Sequence, residues 1–195
     1  MMRLRVALAG NPNTGKSTIF NALTGSNQHV GNWPGKTVAK KEGCYHDRGL
    51  CVELIDLPGT YSLSAYSPDE EVARDYIVLE KPDVVVNVLD VTNLERNLYL
   101  TMQILETAVP LIVVLNMHDV AERNGTAVNQ QKLSQLLGGI PIICAAAGRG
   151  EGLDELRQAL WQFTQRRESQ FVDLYKAGER CLGERVHFVD HCDHL

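Results

Sequence analysis

Short apolar segments of strand length alternate along the chain with segments in which apolar residues recur every three or four positions. The strand-like segments cover residues 5–9, 37–45, 50–55, 84–89, 111–115 and 140–144. The helix-like segments cover residues 16–23, 68–80, 94–107, 133–137 and 153–163. Because these two periodicities are typical of strands and helices, the alternation predicts an α/β domain. We expect a mostly parallel six-stranded sheet with helices on both faces.

One long segment interrupts this alternation. Residues 25–37 contain several glycines, Pro34 and many polar side chains, so we predict an irregular loop, and its length points to a functional role. The two extended segments that follow are separated by His46-Asp47-Arg48-Gly49, which is typical of a hairpin turn. Further along, Ser67 and Pro68 suit the start of a helix, because serine caps helices and proline fits the first helical position.

Composition narrows the class of protein. The 195 residues are enough for one full domain with a short appendage, and 44% hydrophobic with 22% charged residues excludes disordered and collagen-like chains. The formal net charge of −5 argues against a nucleic-acid partner. No apolar run reaches the ~20 residues of a membrane helix. The five cysteines are scattered, which indicates free thiols, with a Cys44–Cys51 pair across the hairpin as the alternative.

A change of character near residue 166 predicts a boundary between a main domain, residues 1–166, and a short extension, residues 167–195. The extension is polar at its start and rich in histidine at its end. His187 and His191 have a spacing that can bind a transition metal if the segment is helical. A solvated chain end is the simpler interpretation, and we assign the extension no function.

The segment from Gly10 to Ser17 matches the phosphate-binding pattern G-x-x-x-x-G-K-[ST] at every fixed position. It lies between a predicted strand and a predicted helix, as this motif requires. In such a loop, backbone N–H groups surround the phosphates, Lys16 neutralises the β and γ oxygens, and Ser17 binds Mg²⁺. The predicted nucleotide-binding residues here are Gly10, Asn11, Pro12, Asn13, Thr14, Gly15, Lys16, Ser17 and Thr18.

A second motif, Asp56-Leu57-Pro58-Gly59, follows another predicted strand, 40 residues after Lys16. A carboxylate at this place can reach Mg²⁺ through water, and the N–H of Gly59 can meet a γ-phosphate. The pattern Asp-x-x-Gly occurs in many turns, and only its position after a phosphate loop makes it significant. We assign all four residues to the nucleotide site, with Asp56 joining Ser17 as a magnesium ligand.

The segment Asn116-Met117-His118-Asp119 follows a further strand and is predicted to select the base. The Asp119 carboxylate can accept hydrogen bonds from N1–H and the 2-amino group of guanine, whereas adenine offers neither donor. We expect Asn116 to tie this segment to the phosphate loop and Met117 to cover the base. After the next strand, backbone N–H groups can meet the guanine oxygen; these belong to Ala146, Ala147 and Gly148. All these residues predict GTP or GDP as the ligand.

Residues 31–38, 56–63 and 93–100 resemble signature stretches of the FeoB family, ferrous iron transport protein B. The resemblance covers roughly residues 3–163 and implies a Ras-like GTPase domain that regulates Fe²⁺ uptake through an adjoining membrane permease. It places the domain on the cytoplasmic side of the bacterial inner membrane, and residues 167–195 at the start of a helical subdomain. It implies that Gly35, Lys36 and Thr37 belong to a switch loop and bind the nucleotide, with Thr37 as a further Mg²⁺ ligand. It also implies that Asn13 binds an activating K⁺.

The expected chemistry is slow hydrolysis of GTP, with Lys16, Thr37 and Gly59 as the catalytic residues. Ras-like enzymes place a water-orienting glutamine after the Asp-x-x-Gly motif, and this chain has Thr60 there. Two alternatives stay open: a soluble ribosome-assembly or RNA-modifying GTPase, and a nucleotide sensor that barely turns over. The expected partners are guanine nucleotide and the permease segment, with a homo-oligomer as a further candidate. In the switch loop, Trp33 is predicted to be mobile.

Overall fold

A seven-stranded sheet forms the centre of the protein. The structure, a computed structural model, describes residues 2–166. The strands are β1 (Met2–Ala9), β2 (Gln28–Asn32), β3 (Ala39–Asp47), β4 (Leu50–Asp56), β5 (Val84–Asp90), β6 (Leu111–Asn116) and β7 (Ile142–Cys144). Their order is β2-β3-β4-β1-β5-β6-β7, parallel from β4 to β7 and antiparallel at the β2 side. The predicted α/β class is confirmed.

The sheet has one strand more than the six predicted. The additional strand, β2, lies within the segment predicted as an irregular loop and pairs antiparallel with β3. All its residues are exposed except the half-buried Gly31, so neither face carries an apolar pattern. Backbone pairing at the sheet edge specifies this strand, and hydrophobic periodicity does not report such pairing.

Helices alternate with the strands along the chain. They are α1 (Lys16–Thr24), α2 (Pro68–Asp75), α3 (Leu94–Glu106), α4 (His118–Arg123), α5 (Gln130–Leu136) and α6 (residues 153–166). Every residue of β6 is buried, as is all of β5 except Asp90. Strands buried along nearly their whole length are typical of parallel strands covered on both faces. α1 packs against β1, β3 and β4, and α3 packs against β5.

The start of α2 follows its sequence signals. The Glu70 N–H donates to Ser67 Oγ at 3.2 Å, and Pro68 is the first helical residue. Such a cap stabilises a helix by about 1 kcal/mol. The helix continues as a π-helical turn, Tyr76–Glu80.

The hairpin of β3 and β4 also forms as predicted. Arg48 and Gly49, at its turn, have φ of 48° and 79°, so both adopt the left-handed conformation that two-residue hairpin turns favour. Cys44 lies opposite Glu53, and Cys51 lies opposite His46. The two cysteines are therefore not cross-strand partners, and both are free thiols, as is Cys144.

The first of two compact units ends at Arg157. Of the second, the structure describes residues 158–166, which are helical. The boundary expected at residue 166 stays a prediction, and the tail that contains His187 and His191 lies outside the described residues. Within residues 2–166, no helix has both the length and the apolar character needed to cross a membrane.

Candidate functional site

The phosphate-loop segment connects β1 to α1, and two of its turns require glycine. Gly10 and Gly15 have φ of 151° and 84°, in the region that favours glycine. A Cβ on Gly15 would lie 2.1 Å from Asn116 Nδ2, and one on Gly10 would lie 2.4 Å from the Val88 carbonyl oxygen. Both glycines therefore permit close approach as well as the turn itself.

A cleft of about 570 Å³ opens at this loop. It is lined by Asn11, Pro12, Asn13, Gly15, Lys16, Ser17, Thr18, Gly59 and Met117. Residues from three of the predicted motifs thus meet in one cavity. A larger groove of about 800 Å³ lies between the end of the π-helical turn and the end of α3, and it contains none of these motifs.

Lys16 and Asp56 form a buried ion pair at the base of the cleft. Lys16 Nζ donates to Asp56 Oδ1 at 2.6 Å, and Ser17 Oγ donates to Asp56 Oδ2 at 3.0 Å. The two charged residues are 8% and 6% exposed, so each charge needs the other. The Asp56 carboxylate thus compensates the ammonium group that the sequence assigns to phosphate binding.

Backbone contacts hold the Asp56-Leu57-Pro58-Gly59 segment against the phosphate loop. The Leu57 N–H donates to the Leu8 carbonyl at 3.0 Å, and the Thr60 N–H donates to the Gly10 carbonyl at 3.2 Å. A Cβ on Gly59 would lie 3.1 Å from Pro12 Cα, so the two segments nearly touch. The Leu57 side chain is buried in the core, whereas Gly59 lines the cleft.

Asn116 joins the phosphate loop to both base-recognition segments. Its Nδ2 donates to the Thr14 carbonyl at 2.8 Å, and its Oδ1 accepts from the Ala147 N–H at 3.0 Å. Both bonds are buried. The predicted tie between Asn116 and the phosphate loop is therefore present in the structure.

The base-recognition segment continues into the first turn of α4. Met117 has a φ of 62°, and the His118 N–H donates to the Ala145 carbonyl at 3.1 Å. His118 Nδ1 lies 3.4 Å from a Glu122 carboxylate oxygen on the same helix. Asp119 follows, with its side chain 18% exposed. From this segment Met117 lines the cleft, whereas Asp119, two positions later, is not among the lining residues.

Two of the three N–H groups predicted to meet a base oxygen have partners within the protein. The Ala146 N–H donates to the Glu151 carbonyl at 3.2 Å, and the Ala147 N–H donates to Asn116. Gly148 is exposed, and a Cβ there would meet nothing within 4 Å. Of the three groups, the Gly148 N–H is the one best placed to bind a ligand.

Comparison with known proteins gives the family. A family model described as ferrous iron transport protein B matches residues 4–160. The chain belongs to the FeoB family. The Fe(2+) transporter FeoB of Escherichia coli strain K12 is 45% identical over 193 residues, which is 97% of this chain and 23% of that protein. The chain therefore spans less than a quarter of the length of this FeoB relative.

Solved FeoB domains share the fold. The G domain of the T. maritima FeoB iron transporter has 43% sequence identity and a TM-score of 0.78, and the match covers 83% of this chain and 99% of that one. The cytosolic domain of T. maritima FeoB in a GDP form has 44% identity and a TM-score of 0.81, over 85% of this chain and 64% of that one. This chain is accordingly a FeoB G domain, a GTPase domain. Membership of FeoB also argues against a ribosome-assembly GTPase.

The switch-loop residues of the predicted FeoB site lie apart from the cleft. Gly35 and Thr37 are exposed, and Lys36 Nζ lies 3.2 Å from Glu71 Oε2 and 3.6 Å from Asp75 Oδ2, both on α2. None of the three switch residues lines the cleft. The loop that carries them is therefore attached to α2 in this structure.

Aromatic packing adds to this attachment. The rings of Trp33 and Tyr76 meet edge to face with centroids 5.5 Å apart, and Lys40 Nζ lies 5.0 Å from the Trp33 ring centroid. Burial raises the pKa of Tyr76 to about 12. Trp33 is half-buried, and its mobility stays a prediction.

The sequence did not reveal the α2 carboxylates as partners of the switch loop. Glu71 lies in the first turn of α2, where acids usually complement the helix dipole and remain solvated. Its four-residue spacing from Asp75 places both acids on one face of the helix. This spacing was the one feature of the sequence that could have indicated a shared basic partner. Only the tertiary structure shows that Lys36 faces them.

Proposed function

We propose that this chain binds and slowly hydrolyses GTP and thereby regulates a ferrous iron transporter. The observation that carries the proposal is the double hydrogen bonding of Asn116, which joins the phosphate loop to the base-recognition segments. Strands β1 and β6 are parallel members of one sheet, so these segments share its carboxyl edge, where ligands bind in open α/β folds. One nucleotide can then contact both ends of the site.

At the phosphate end, Lys16 exchanges Asp56 for phosphate oxygens when the nucleotide enters. Ser17 and Asp56 supply a hydroxyl and a carboxylate oxygen 3.0 Å apart, the donor type that Mg²⁺ prefers. Bound Mg²⁺ supplies positive charge against the β- and γ-phosphate oxygens. Asn11 is 4% exposed, and its amide oxygen and nitrogen have no hydrogen-bond partner among the described residues. A buried amide of this kind fits a loop whose hydrogen bonding is completed by a polar ligand.

At the base end, Asp119 accepts the two guanine donors, N1–H and the 2-amino group. The Gly148 N–H donates to the guanine oxygen, and Met117 covers the base with an apolar side chain in place of the usual lysine. Adenine would leave the carboxylate without donors, and a site built for hydrogen bonds rejects such an analogue strongly.

Hydrolysis depends on charge stabilisation by Lys16 and on backbone groups, including the Gly59 N–H. Thr60 is 4% exposed, and its N–H is committed to Gly10, so it does not replace a water-orienting glutamine. We therefore expect a slow intrinsic rate. Thr37 reaches the phosphates only after its loop leaves α2. Asn13, exposed at the rim of the cleft, is the proposed K⁺ ligand.

The transport role follows from the family. FeoB relatives are named Fe(2+) transporters, and this chain corresponds to less than a quarter of the E. coli protein. We propose that the domain acts on the cytoplasmic side of the cell membrane and passes its nucleotide state to a permease segment, with a homo-oligomer as a further assembly. No nucleic acid is involved. The helical subdomain predicted to begin in residues 167–195 lies outside the described residues.

Single-turnover hydrolysis of GTP and of ATP, each in NaCl and in KCl, tests the proposal. We expect cleavage of GTP in preference to ATP and a faster rate in K⁺. Tight binding of GTP without measurable cleavage would favour a nucleotide sensor. Equal binding of ATP and GTP would contradict the base assignment.

A further inference from the structure

Asp119 interacts with two arginines that come from different parts of the fold. Arg123 Nη2 lies 3.2 Å from Asp119 Oδ2, and Arg149 Nε lies 3.3 Å from the same oxygen. Arg123 belongs to α4, the helix that carries Asp119, and its Nε also donates to the Asp119 carbonyl at 3.1 Å. Arg149 belongs to the loop after β7, which contains the Gly148 N–H that we assign to the base oxygen.

We propose that Arg149 is a positioning residue that fixes the Asp119 carboxylate for recognition of both guanine donors. This inference rests on the proposed guanine site. Hydrogen bonds to N1–H and to the 2-amino group require both carboxylate oxygens to lie in the plane of the base. A carboxylate held at one oxygen by a second loop loses the freedom to rotate out of that plane.

The loop that carries Arg149 is itself firmly held. Ala146 and Glu151 exchange two backbone hydrogen bonds, of 3.2 and 3.3 Å, and the Arg149 N–H donates to the Ala146 carbonyl at 2.8 Å. Gly152 packs so closely that a Cβ there would lie 2.4 Å from the Cys144 carbonyl oxygen. With the bond between Asn116 and Ala147, the loop is anchored both to β6 and to the end of β7.

This anchoring distinguishes Arg149 from Arg123. Because Arg123 is carried by the same helix as Asp119, it moves with the carboxylate and cannot fix it relative to the loop. Arg149 connects two separate elements, so it sets the distance between the carboxylate and the Gly148 N–H. Both arginine side chains are more than half exposed, at 65% and 56% for Arg123 and Arg149, so salt should screen their contacts with Asp119.

The test compares the affinities of GDP and IDP, because inosine has N1–H but lacks the 2-amino group. In the unmodified chain, we expect GDP to bind more tightly than IDP and far more tightly than ADP. Arg149→Ala should reduce the GDP-to-IDP affinity ratio by roughly two- to fivefold, the upper range of an exposed ion pair. Arg149→Lys should recover part of the ratio, and Arg123→Ala, the matched control, should change it less than twofold. High salt should lower the ratio in the unmodified chain but not in Arg149→Ala.

The outcomes separate this inference from the guanine site itself. If the unmodified chain does not prefer GDP to ADP, the proposed function fails. If it does, and Arg149→Ala keeps the original GDP-to-IDP ratio or Arg123→Ala lowers it equally, the role of Arg149 is overturned. Urea unfolding without nucleotide measures the stability of each variant. A GDP-to-IDP affinity ratio that falls only in proportion to the loss of stability would also overturn the role of Arg149. If Arg149→Ala does not fold, Arg149→Gln, which keeps a long side chain without the charge, replaces it with the same expected result.

Discussion

Asn116→Ala should destabilise the domain and weaken its nucleotide binding together. The substitution removes the donor to the Thr14 carbonyl and the acceptor of the Ala147 N–H. Asn116 is 4% exposed, and Thr14 and Ala147 are 1% and 5% exposed, so water has little access to the groups left behind. An unpaired buried polar group costs about 1–3 kcal/mol. Two such groups predict a fall of about 2–6 kcal/mol in the free energy of unfolding.

Urea unfolding followed by circular dichroism, without nucleotide and with saturating GDP, measures both effects. GDP should stabilise the unmodified chain strongly and Asn116→Ala only weakly, because ligand stabilisation scales with affinity. Asn87→Ala is the control: Asn87 is 1% exposed on the neighbouring strand and donates to Thr101 Oγ1 at 2.9 Å. Asn87→Ala should lower the free energy of unfolding by about 1 kcal/mol and leave GDP binding intact.

Two results would refute the reasoning. One is an Asn116→Ala protein no less stable than Asn87→Ala, which would mean that the two hydrogen bonds contribute little. The other is an equal stabilisation against urea by GDP in Asn116→Ala and in Asn87→Ala. In that case, the connection between the phosphate loop and the base-recognition segments would not be needed for binding.

Three further predictions concern the switch loop, the K⁺ site and alkaline stability. Lys36→Ala should release the switch loop from α2 and lower the free energy of unfolding by no more than about 1 kcal/mol. Trp33 fluorescence, measured in a Trp161→Phe background, should shift toward that of a solvent-exposed tryptophan. An unchanged spectrum would argue against the attachment of the loop to α2. Asn13→Ala should abolish the stimulation of hydrolysis by K⁺ while leaving GDP affinity nearly intact, and persisting stimulation would show that K⁺ binds elsewhere. Burial raises the pKa of Tyr76 from 10.0 to about 12, which favours its neutral form in the folded chain. The contribution of Tyr76 to the free energy of unfolding should therefore be constant below pH 10.0 and decrease as the pH rises to about 12, and Tyr76→Phe should reduce the alkaline loss of stability in urea unfolding.

The sequence predicts those parts of the fold and site that hydrophobic period or motif spacing specifies. Strand β6 is an apolar run up to Asn116, β5 is one interrupted by Asn87, and Ser67 with Pro68 marks the start of α2. The tie from Asn116 to the phosphate loop was also predictable, because both lie where parallel strands end at one edge of the sheet.

Other features depend on tertiary contacts that leave little pattern in the chain. Strand β2 has no buried face, so its residues carry no alternation. The pairing of Lys16 with Asp56 depends on the structure, because the motif assigns both side chains to a ligand. Long, exposed side chains such as Lys36 and Arg149 have many accessible partners, and only the folded arrangement shows which acid each one meets.

Base preference in Asp119→Asn tests the central claim most directly. An asparagine cannot accept both guanine donors, but its amide can donate to the additional oxygen of xanthine. The account predicts that GDP affinity falls by about 100-fold while XDP affinity rises, each measured by titration against the unmodified chain. Unchanged selectivity for GDP would contradict the claim that the phosphate cleft and the Asp119 carboxylate bind one guanine nucleotide.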